Sequence, residues 1–267
     1  MPTLLITGAA GIVGTALRPL LRPHYHLRLL DYRPVEALAE GETALLGNLT
    51  DPALVQQAVE GVDGIVHLAC AHGPQISFQR TVEPNYHATL YLLEAAQRCG
   101  VQRFVFTSSH HVLGQYRSDS AEFFDDMPVA PDSYYAMSKV FGEGACTAFA
   151  ERYGMATFVI RIGNADPQVS DARRLRMWTS ARDLAQLVRI GLEHPAVRHD
   201  IVYGVSESPQ PLFHNQRARA LGYQPQDNAA DHLAAGYLSY EAMSASDSGR
   251  DYVGGAYAGT PLTSTLE

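Results

Sequence analysis

The sequence predicts an α/β fold built on a doubly wound parallel sheet, with a small C-terminal substrate cap. Short apolar runs alternate with segments of helical periodicity, and a glycine-rich turn follows the first apolar run. Strands that helices cover on both faces are apolar along their whole length. Repeated alternation of such strands with crossover helices therefore predicts a parallel sheet with helices on both of its faces.

The predicted strands and helices follow one another along the first 162 residues. The strands are residues 3–7, 27–30, 43–46, 64–68, 104–107 and 157–162, and the helices, with apolar residues near i, i+3 and i+4, are 12–21, 52–59, 89–99 and 134–153. After them, a polar, Arg-rich stretch precedes a helix over 181–194 and a strand-like run over 201–203, and residues from 215 onward are predicted to form short helices and loops. We therefore interpret residues 1–162 as a nucleotide-binding core and 163–267 as a substrate-binding cap within the same globular unit.

Composition excludes several classes of protein. The chain has 267 residues, of which 46% are hydrophobic and 18% charged, which is enough for one large core. A net charge of -8 without long Lys or Arg runs disfavours nucleic acid as a partner. No apolar run approaches the roughly 20 residues that cross a bilayer, and no basic segment precedes the first strand. We expect a cytoplasmic protein without a membrane span.

The cysteines predict reduced thiols and no metal site. Cys70, Cys99 and Cys146 are an odd number and lie far apart. They form no CxxC pair and no Cys/His spacing of the zinc-binding kind. His72 stands close to Cys70, but a lone histidine after an apolar run is more typical of a loop or a substrate pocket.

The glycine-rich turn predicts a phosphate-binding loop of the Rossmann type. Gly8 allows a tight turn, Gly11 allows the backbone to approach a pyrophosphate, and Gly14 allows close packing of helix on strand. The helix N-terminus then faces the phosphate charge. The other residues expected beside the dinucleotide are Ile12, Val13, Asn48, Leu49, Leu68 and Ala69.

Asp31 ends the second predicted strand, about 20 residues after the turn, where a carboxylate binds the adenosine ribose hydroxyls. Its charge would repel a 2'-phosphate, which favours NAD over NADP. Arg33 weakens this preference, because an arginine after the second strand commonly binds that phosphate. The alternative for Asp31 is an ordinary solvated turn residue.

Two further motifs stand at the fifth strand and the following long helix. Ser108 and Ser109 end the strand, and Tyr135 and Lys139 are one helical turn apart on one face. The chain resembles the extended short-chain dehydrogenase/reductase family over residues 3–265. The resemblance depends on the order of four features: the glycine turn, Asp31, the serine pair and the Tyr-x-x-x-Lys pair. Taken alone, the last pair could be a core-edge tyrosine and an exposed lysine.

The resemblance implies an enzyme in which Tyr135 is the base, Lys139 supports it and Ser109 binds the substrate oxygen. A phenol titrates near 10, so a base that works at neutrality needs a pKa about three units lower, or roughly 4 kcal/mol of preferential phenolate stabilisation. Lys139 and the positive nicotinamide ring are expected to supply the charge. NAD is the expected cofactor, and the protein positions the substrate against it.

Within that family the chain is similar to uronate dehydrogenases and related NAD-dependent aldose C1 dehydrogenases. The segments that carry this similarity are 108–111 with Gly114, 161–163, 173–178, 221–223, 225–228 and 254–255. The implied reaction is oxidation of a sugar at C1 to a lactone. The resemblance places Arg173 on the C6 carboxylate, through a planar fork that lysine lacks. It also places His111 and Tyr257 in the sugar pocket. We further expect His72, Ser109, His110 and Asn164 to contact the sugar.

The chain departs from the uronate dehydrogenase pattern at three places. His110 stands where Asn is usual, Asn164 where Ser is common, and the loop 71–75 differs in sequence. Arg173 is also one of three arginines within four residues, which could accept a phosphate or sulfonate, or could be solvated. We therefore rank a hexuronate first, a C6-phosphorylated or sulfonated hexose second and a neutral aldose third.

Two other functions remain open at this point. A nucleotide-sugar epimerase or dehydratase would return its hydride to the substrate, although such enzymes usually carry a larger C-terminal domain. A redox-sensing module would keep the nucleotide fold without turnover, although such proteins commonly lose the Tyr-Lys pair. We also expect a homo-oligomer that pairs the helices before and after the fifth strand, as relatives do.

Overall fold

The structure is a computed structural model that describes residues 1–119, 123–243 and 248–263, without the side chains of residues 248 and 249. The strands are β1 (Thr3–Thr7), β2 (His26–Asp31), β3 (Glu42–Leu46), β4 (Gly64–His67), β5 (Arg103–Ser109), β6 (Ala156–Ile162), β7 (Val169–Asp171), β8 (His199–Gly204) and β9 (Leu233–Leu238). The helices are α1 (Ile12–Leu21), α2 (Pro52–Val59), α3 (Phe78–Thr81), α4 (Ala88–Arg98), α5 (Tyr134–Tyr153), α6 (Ala172–Leu175), α7 (Ala181–Glu193), α8 (Gln216–Ala220), α9 (Ser248–Asp251) and α10 (Ala256–Gly259).

The central sheet has seven parallel strands in the order β3-β2-β1-β4-β5-β6-β8. The chain first builds outward from β1 to β3, and then returns to the other side of β1 with β4. The strand order therefore reverses between β1 and β4, which is where doubly wound folds bind their ligands. The predicted doubly wound parallel sheet is confirmed.

The sheet is buried on both faces because neighbouring strand residues point to opposite sides. In β1, Leu4 packs into a core with α1 and α7, whereas Leu5 packs into a second core with α2, α4 and α5. Both leucines are buried. This double coverage is the physical reason for the continuous apolar runs in the sequence.

Helix α5 sets the position of the residues at its first turn. Ser133 caps its N-terminus by accepting a hydrogen bond from the backbone N–H of Ala136, at 3.1 Å. The helix ends at Gly154, whose φ of 69° places it in the left-handed region that favours glycine. Between these ends α5 packs against β5 and β6, so its first turn lies near the carboxyl ends of those strands.

The helical segment before β5 begins earlier than predicted. Residues 89–99 were expected to be helical, but α3 and a π-helix, Val82–His87, precede α4 without a break. Pro84 lies inside this π-helix. A proline lacks the N–H that an α-helix uses and so disfavours an α-helix at this position, but the wider turn of the π-helix accommodates it.

The C-terminal third has more regular structure than the sequence indicated. Strand β8 is the last strand of the main sheet and helix α7 packs against that sheet, so part of the segment 163–267 belongs to the doubly wound fold. Strands β7 and β9 form a separate two-stranded parallel sheet, in stretches expected to be polar or irregular. The short length of β7 and the exposed side chains of β9 explain why no periodicity marked them.

None of the helices in the described residues is long and apolar enough to cross a membrane. In the same part of the chain, no three His, Cys, Asp or Glu side chains are grouped as metal ligands would be. Cys70 and Cys99 are half-buried free thiols, and Cys146 is buried.

Candidate active site

A cleft of about 1010 Å³ opens at the carboxyl ends of β1, β2, β4 and β5. It lies at the point where the strand order reverses. The residues predicted for the cofactor and the chemistry are gathered in its lining. They are Gly8, Gly11, Ile12, Val13, Gly14, Asp31, Asn48, Leu49, Leu68, Ala69, His72, Ser109, Tyr135 and Lys139.

The glycine turn makes one wall of the cleft. Gly8 has a φ of 71°, and a Cβ added to it would lie 2.7 Å from the backbone nitrogen of Ala69. A Cβ on Gly14 would lie 2.6 Å from the carbonyl oxygen of Gly8. Helix α1 starts at Ile12 with no side chain capping its first N–H groups. Those groups are thus left for an anion, and the turn fits a pyrophosphate.

Asp31 is 4% exposed and is held at the edge of the cleft by backbone donors. It accepts hydrogen bonds from the N–H of Ala10 at 3.0 Å and of Arg33 at 2.9 Å. The Arg33 side chain turns back toward the glycine turn, where it donates to the Ala10 carbonyl at 3.1 Å and lies 3.7 Å from Asp31. This end of the cleft therefore carries a buried carboxylate in a fixed position, with the half-exposed guanidinium of Arg33 beside it.

Ser109, Tyr135 and Lys139 converge at the opposite end of the cleft. The Lys139 ammonium donates to the carbonyl of Thr107 at 2.7 Å and lies 5.7 Å from the centre of the Tyr135 ring. Burial raises the pKa of Tyr135 well above its usual value near 10, and Cys70 adds to this, while a hydrogen bond with Ser109 opposes it. The phenol is therefore expected to be protonated near pH 7, and added positive charge is needed to make it a base.

A buried ion pair fixes β5, α5 and β6 relative to one another. Glu143 of α5 accepts two hydrogen bonds from Arg161 of β6, each at 2.9 Å, and one from Ser108 of β5 at 2.6 Å. All three side chains are buried. This triad was not predicted from the sequence, although an arginine inside an apolar strand is a signal that a buried partner must exist.

The π-helix contributes a second support of the site, which was not predicted from the sequence. The Asn85 side chain accepts from the backbone N–H of Ala71 at 2.7 Å and donates to the Ala71 carbonyl at 2.9 Å. It also donates to the Ser138 hydroxyl at 2.8 Å. Asn85 thus links the loop that carries His72 to the helix that carries Tyr135. The centres of the His72 and Tyr135 rings are 5.9 Å apart.

A cluster of rings lies next to Tyr135. The centre of the His111 ring is 5.9 Å from that of Tyr135, 4.0 Å from that of Tyr257 and 4.2 Å from that of His110. The His111 Nδ1 atom is 2.7 Å from an oxygen of Asp132, which is buried. Asp132 was not among the predicted site residues.

Burial determines the charge of this cluster. It lowers the pKa of His111 to about 3, with help from the Arg173 charge, and lowers that of His110 well below its usual value. It raises the pKa of Asp132 to about 6. Both rings are therefore neutral near pH 7. His110 donates from Nδ1 to the Ile162 carbonyl at 3.2 Å, and its Nε2 is buried with no partner among the described residues.

Arg173 stands beside the histidines. Its Nη1 donates to the carbonyl of Val253 at 2.8 Å, and its guanidinium lies against Gly255. The charge is close enough to lower the pKa values of His110 and His111.

The other two arginines of residues 173–176 point away from the histidines. Arg174 pairs with Asp171 and lies 3.8 Å from Asp166, whereas Arg176 donates to the backbone carbonyls of Ser118 and Gln210. Arg174 is thus paired with carboxylates and Arg176 is held by backbone carbonyls, and of the three arginines it is the charge of Arg173 that acts on the histidines.

The predicted sugar residues lie next to the cleft but do not all line it. Asn164 donates to Asp166 at 3.0 Å, and its Oδ1 is buried without a partner in the described part of the chain. The cleft lining described above includes His72 and Ser109. Five other predicted residues are not part of that lining: His110, His111, Asn164, Arg173 and Tyr257.

Comparisons with known proteins point to one family. Residues 4–165 match the model of the NAD dependent epimerase/dehydratase family. The chain is 40% identical to a uronate dehydrogenase of Pseudomonas putida, over 96% of this chain and 95% of that one. It is 31% identical to an NAD-dependent glucose-6-phosphate dehydrogenase of Haloferax volcanii, over 85% and 94%. A mutant uronate dehydrogenase from Agrobacterium tumefaciens, solved with NAD, superposes with a TM-score of 0.89 at 30% identity, over 98% and 99%.

Proposed function

The chain belongs to the NAD dependent epimerase/dehydratase family, and on that premise we propose that it oxidises a hexuronate, glucuronate or galacturonate, at C1 to a lactone with NAD. The observation that carries the proposal is 40% identity to a uronate dehydrogenase across nearly the whole of both chains. The convergence of Ser109, Tyr135 and Lys139 in one cleft supports it.

The cleft residues fit NAD. The uncapped start of α1 and the close approach at Gly8 and Gly14 suit a pyrophosphate. Asp31 is placed to accept from ribose hydroxyls and to repel a 2'-phosphate. Arg33 keeps contact with Asp31 and with the turn, so the carboxylate sets the preference for NAD. The remaining contacts proposed for the dinucleotide come from Gly11, Ile12, Val13, Asn48, Leu49, Leu68, Ala69 and Lys139.

Tyr135 takes the proton of the C1 hydroxyl while Ser109 holds the same oxygen. When bound, NAD supplies the hydride acceptor and a positive charge near the phenol. Burial makes the phenolate costly, and each pKa unit that must be recovered corresponds to about 1.4 kcal/mol. The Lys139 ammonium is anchored on the Thr107 carbonyl and provides a fixed positive charge 5.7 Å from the centre of the Tyr135 ring.

Arg173 binds the carboxylate at C6. Its guanidinium combines charge with a planar pair of donors, which matches the two oxygens of a carboxylate. The structure supports this role by setting that charge next to the histidine cluster. His72, His110, His111, Asn164 and Tyr257 complete the proposed sugar pocket.

A C6-phosphorylated hexose is the second candidate, because the Haloferax relative is named a glucose-6-phosphate dehydrogenase. A phosphate carries more charge than a carboxylate and is usually met by several cations. Arg174 and Arg176 point away from the histidines, so Arg173 is the arginine of residues 173–176 whose charge reaches the sugar side. This observation favours the carboxylate.

The test is a screen for NADH absorbance with NAD and, in turn, glucuronate, galacturonate, glucose 6-phosphate and glucose. We expect stoichiometric NADH with at least one uronate and much slower formation with glucose. The Tyr135→Phe protein serves as the inactive control. Turnover of glucose 6-phosphate alone would favour the second candidate. Conversion of a nucleotide sugar without net NADH would indicate an epimerase instead.

We also propose a homo-oligomer that pairs α4 and α5. Aromatic side chains line this side of the molecule: Tyr86 and Phe141 have ring centres 4.8 Å apart, and Phe78, which is 39% exposed, contacts both Tyr86 and Tyr134. Light scattering during gel filtration gives the mass directly, and a monomer would contradict the proposal. A cytoplasmic location stays a prediction.

A further inference from the structure

The Asp132 carboxylate lies in a slot between two glycines. A Cβ on Gly114 would come within 1.8 Å of Asp132 Oδ2, and a Cβ on Gly254 within 1.9 Å. The two glycines belong to distant parts of the chain that are joined by a hydrogen bond from the Gly254 N–H to the Gly114 carbonyl, at 3.0 Å. The slot therefore lies where residues 252–257 cross the turn after β5, and a side chain at either glycine would force the carboxylate to shift.

The hydrogen bonds of Asp132 determine which ring nitrogen of His111 carries the hydrogen. The carboxyl pKa is about 6, so the group is ionised at neutral pH and can only accept. Its Oδ1 accepts from the Ser133 hydroxyl at 2.8 Å, and its Oδ2 is 2.7 Å from His111 Nδ1. His111 Nδ1 must therefore carry the hydrogen. The neutral ring then has a lone pair, and no hydrogen, on Nε2.

We propose that Asp132 is a positioning residue of the proposed dehydrogenase: it keeps the proton of His111 on Nδ1, so that Nε2 accepts a hydrogen bond from a sugar hydroxyl. The inference rests on the proposed function for the identity of the ligand. The His111 side chain keeps 11% of its surface exposed, and its ring faces Tyr135 and Tyr257. Asp132 itself is buried behind that ring, so it acts on the sugar only through His111.

The charges around the pair favour this single arrangement. A second proton on His111 is opposed by its burial and by the positive charge of Arg173. The Asp132 carboxylate has no route to solvent, because it is 3% exposed. Five titratable groups face the Asp132–His111 pair: His72, His110, Tyr135, Arg173 and Tyr257.

The first test reads the tautomer directly and needs no turnover. Protein labelled with 15N-histidine is compared with its His111→Gln variant, which identifies the His111 signals by their loss. At pH 7 we expect the wild-type His111 Nδ1 to carry the hydrogen and Nε2 to show the shift of an unprotonated nitrogen. In the Asp132→Asn variant we expect this pattern to change, because an amide can donate as well as accept. A wild-type His111 with hydrogen on Nε2 would overturn the proposal.

The second test separates positioning from folding. We expect kcat/KM for the uronate to fall about 10- to 100-fold in Asp132→Asn, by analogy with carboxylates that orient metal-binding histidines, with KM for NAD unchanged. Asp126→Asn is the matched control, since Asp126 is exposed in the same connection before α5. Unchanged uronate kinetics in a folded Asp132→Asn protein would refute the role.

Gly254→Ala keeps the carboxylate but fills its slot, so it should reproduce the His111 spectral change even if Asp132→Asn fails to fold. Gly144→Ala is its control, because an added Cβ there meets nothing within 4 Å. A Gly254→Ala protein with the wild-type His111 signals would count against the proposal. Absence of uronate turnover in the wild type would refute the proposed function, whereas the histidine spectra would still decide the role of Asp132.

Discussion

Replacing Arg173 by alanine should remove most of the preference for an acidic sugar. The substitution deletes the one arginine of the 173–176 run whose charge reaches the histidine cluster. A hydrogen bond to a charged group contributes about 1.5–3 kcal/mol. Since about 1.4 kcal/mol corresponds to tenfold, kcat/KM for glucuronate should fall about 10- to 100-fold. The loss should appear mainly in KM, because the guanidinium binds a group remote from the reacting carbon.

The assay is NADH formation with glucuronate and with glucose in parallel. Glucose lacks the carboxylate, so its slow turnover should change far less. Arg173→Lys should recover only part of the loss, because an ammonium lacks the planar fork. Arg174→Ala is the matched control, since that side chain pairs with Asp171. Equal losses for both sugars in Arg173→Ala would show that the residue supports the fold around Val253 rather than recognising the substrate.

Four other outcomes are expected. Tyr135→Phe should abolish turnover while NAD still binds by fluorescence titration; undiminished turnover would remove the tyrosine from the role of base. Gly14→Ala should weaken NAD binding, because its Cβ would collide with a carbonyl 2.6 Å away, and unchanged affinity would contradict that geometry. Glu143→Gln should cost about 3–5 kcal/mol in urea unfolding by leaving the Arg161 charge buried and unpaired, whereas a neutral effect would show that the pair is dispensable. Burial lowers the pKa of His67 to about 3, so the unfolded chain binds a proton that the native state does not, and the free energy of unfolding should fall as pH drops from about 6.5 toward 3; His67→Gln should flatten that slope.

The sequence predicted the nucleotide-binding half of the fold closely because its signals are local. The apolar run 3–7 and the helix 12–21 have the bounds of β1 and α1, and the glycine turn between them admits few other conformations. Strands β7 and β9 gave no such signal. They pair with each other across about 60 residues, and their stability comes from that contact rather than from their own composition.

The site, too, has residues that local sequence signals predict and residues that depend on contacts between distant parts of the chain. Gly8, Asp31, Tyr135 and Lys139 were predicted from spacing along the chain and meet in one cleft. Asp132 was missed, because a Pro-Asp-Ser stretch before a helix is typical of an ordinary N-terminal cap. Its partner His111 and its two flanking glycines come from other parts of the chain, so its role became visible only in three dimensions.

The crossing of residues 252–257 over the turn after β5 has a consequence for how the two ends of the site can vary. Gly254 borders the Asp132 slot and Tyr257 packs on His111, so the sugar side of the site depends on residues far along the chain from the glycine turn. The dinucleotide end of the cleft is built on the carboxyl ends of β1 and β2 and on the turn between Gly8 and Gly14. Substitutions in residues 252–257 are therefore expected to change the choice of sugar while the dinucleotide end keeps its shape.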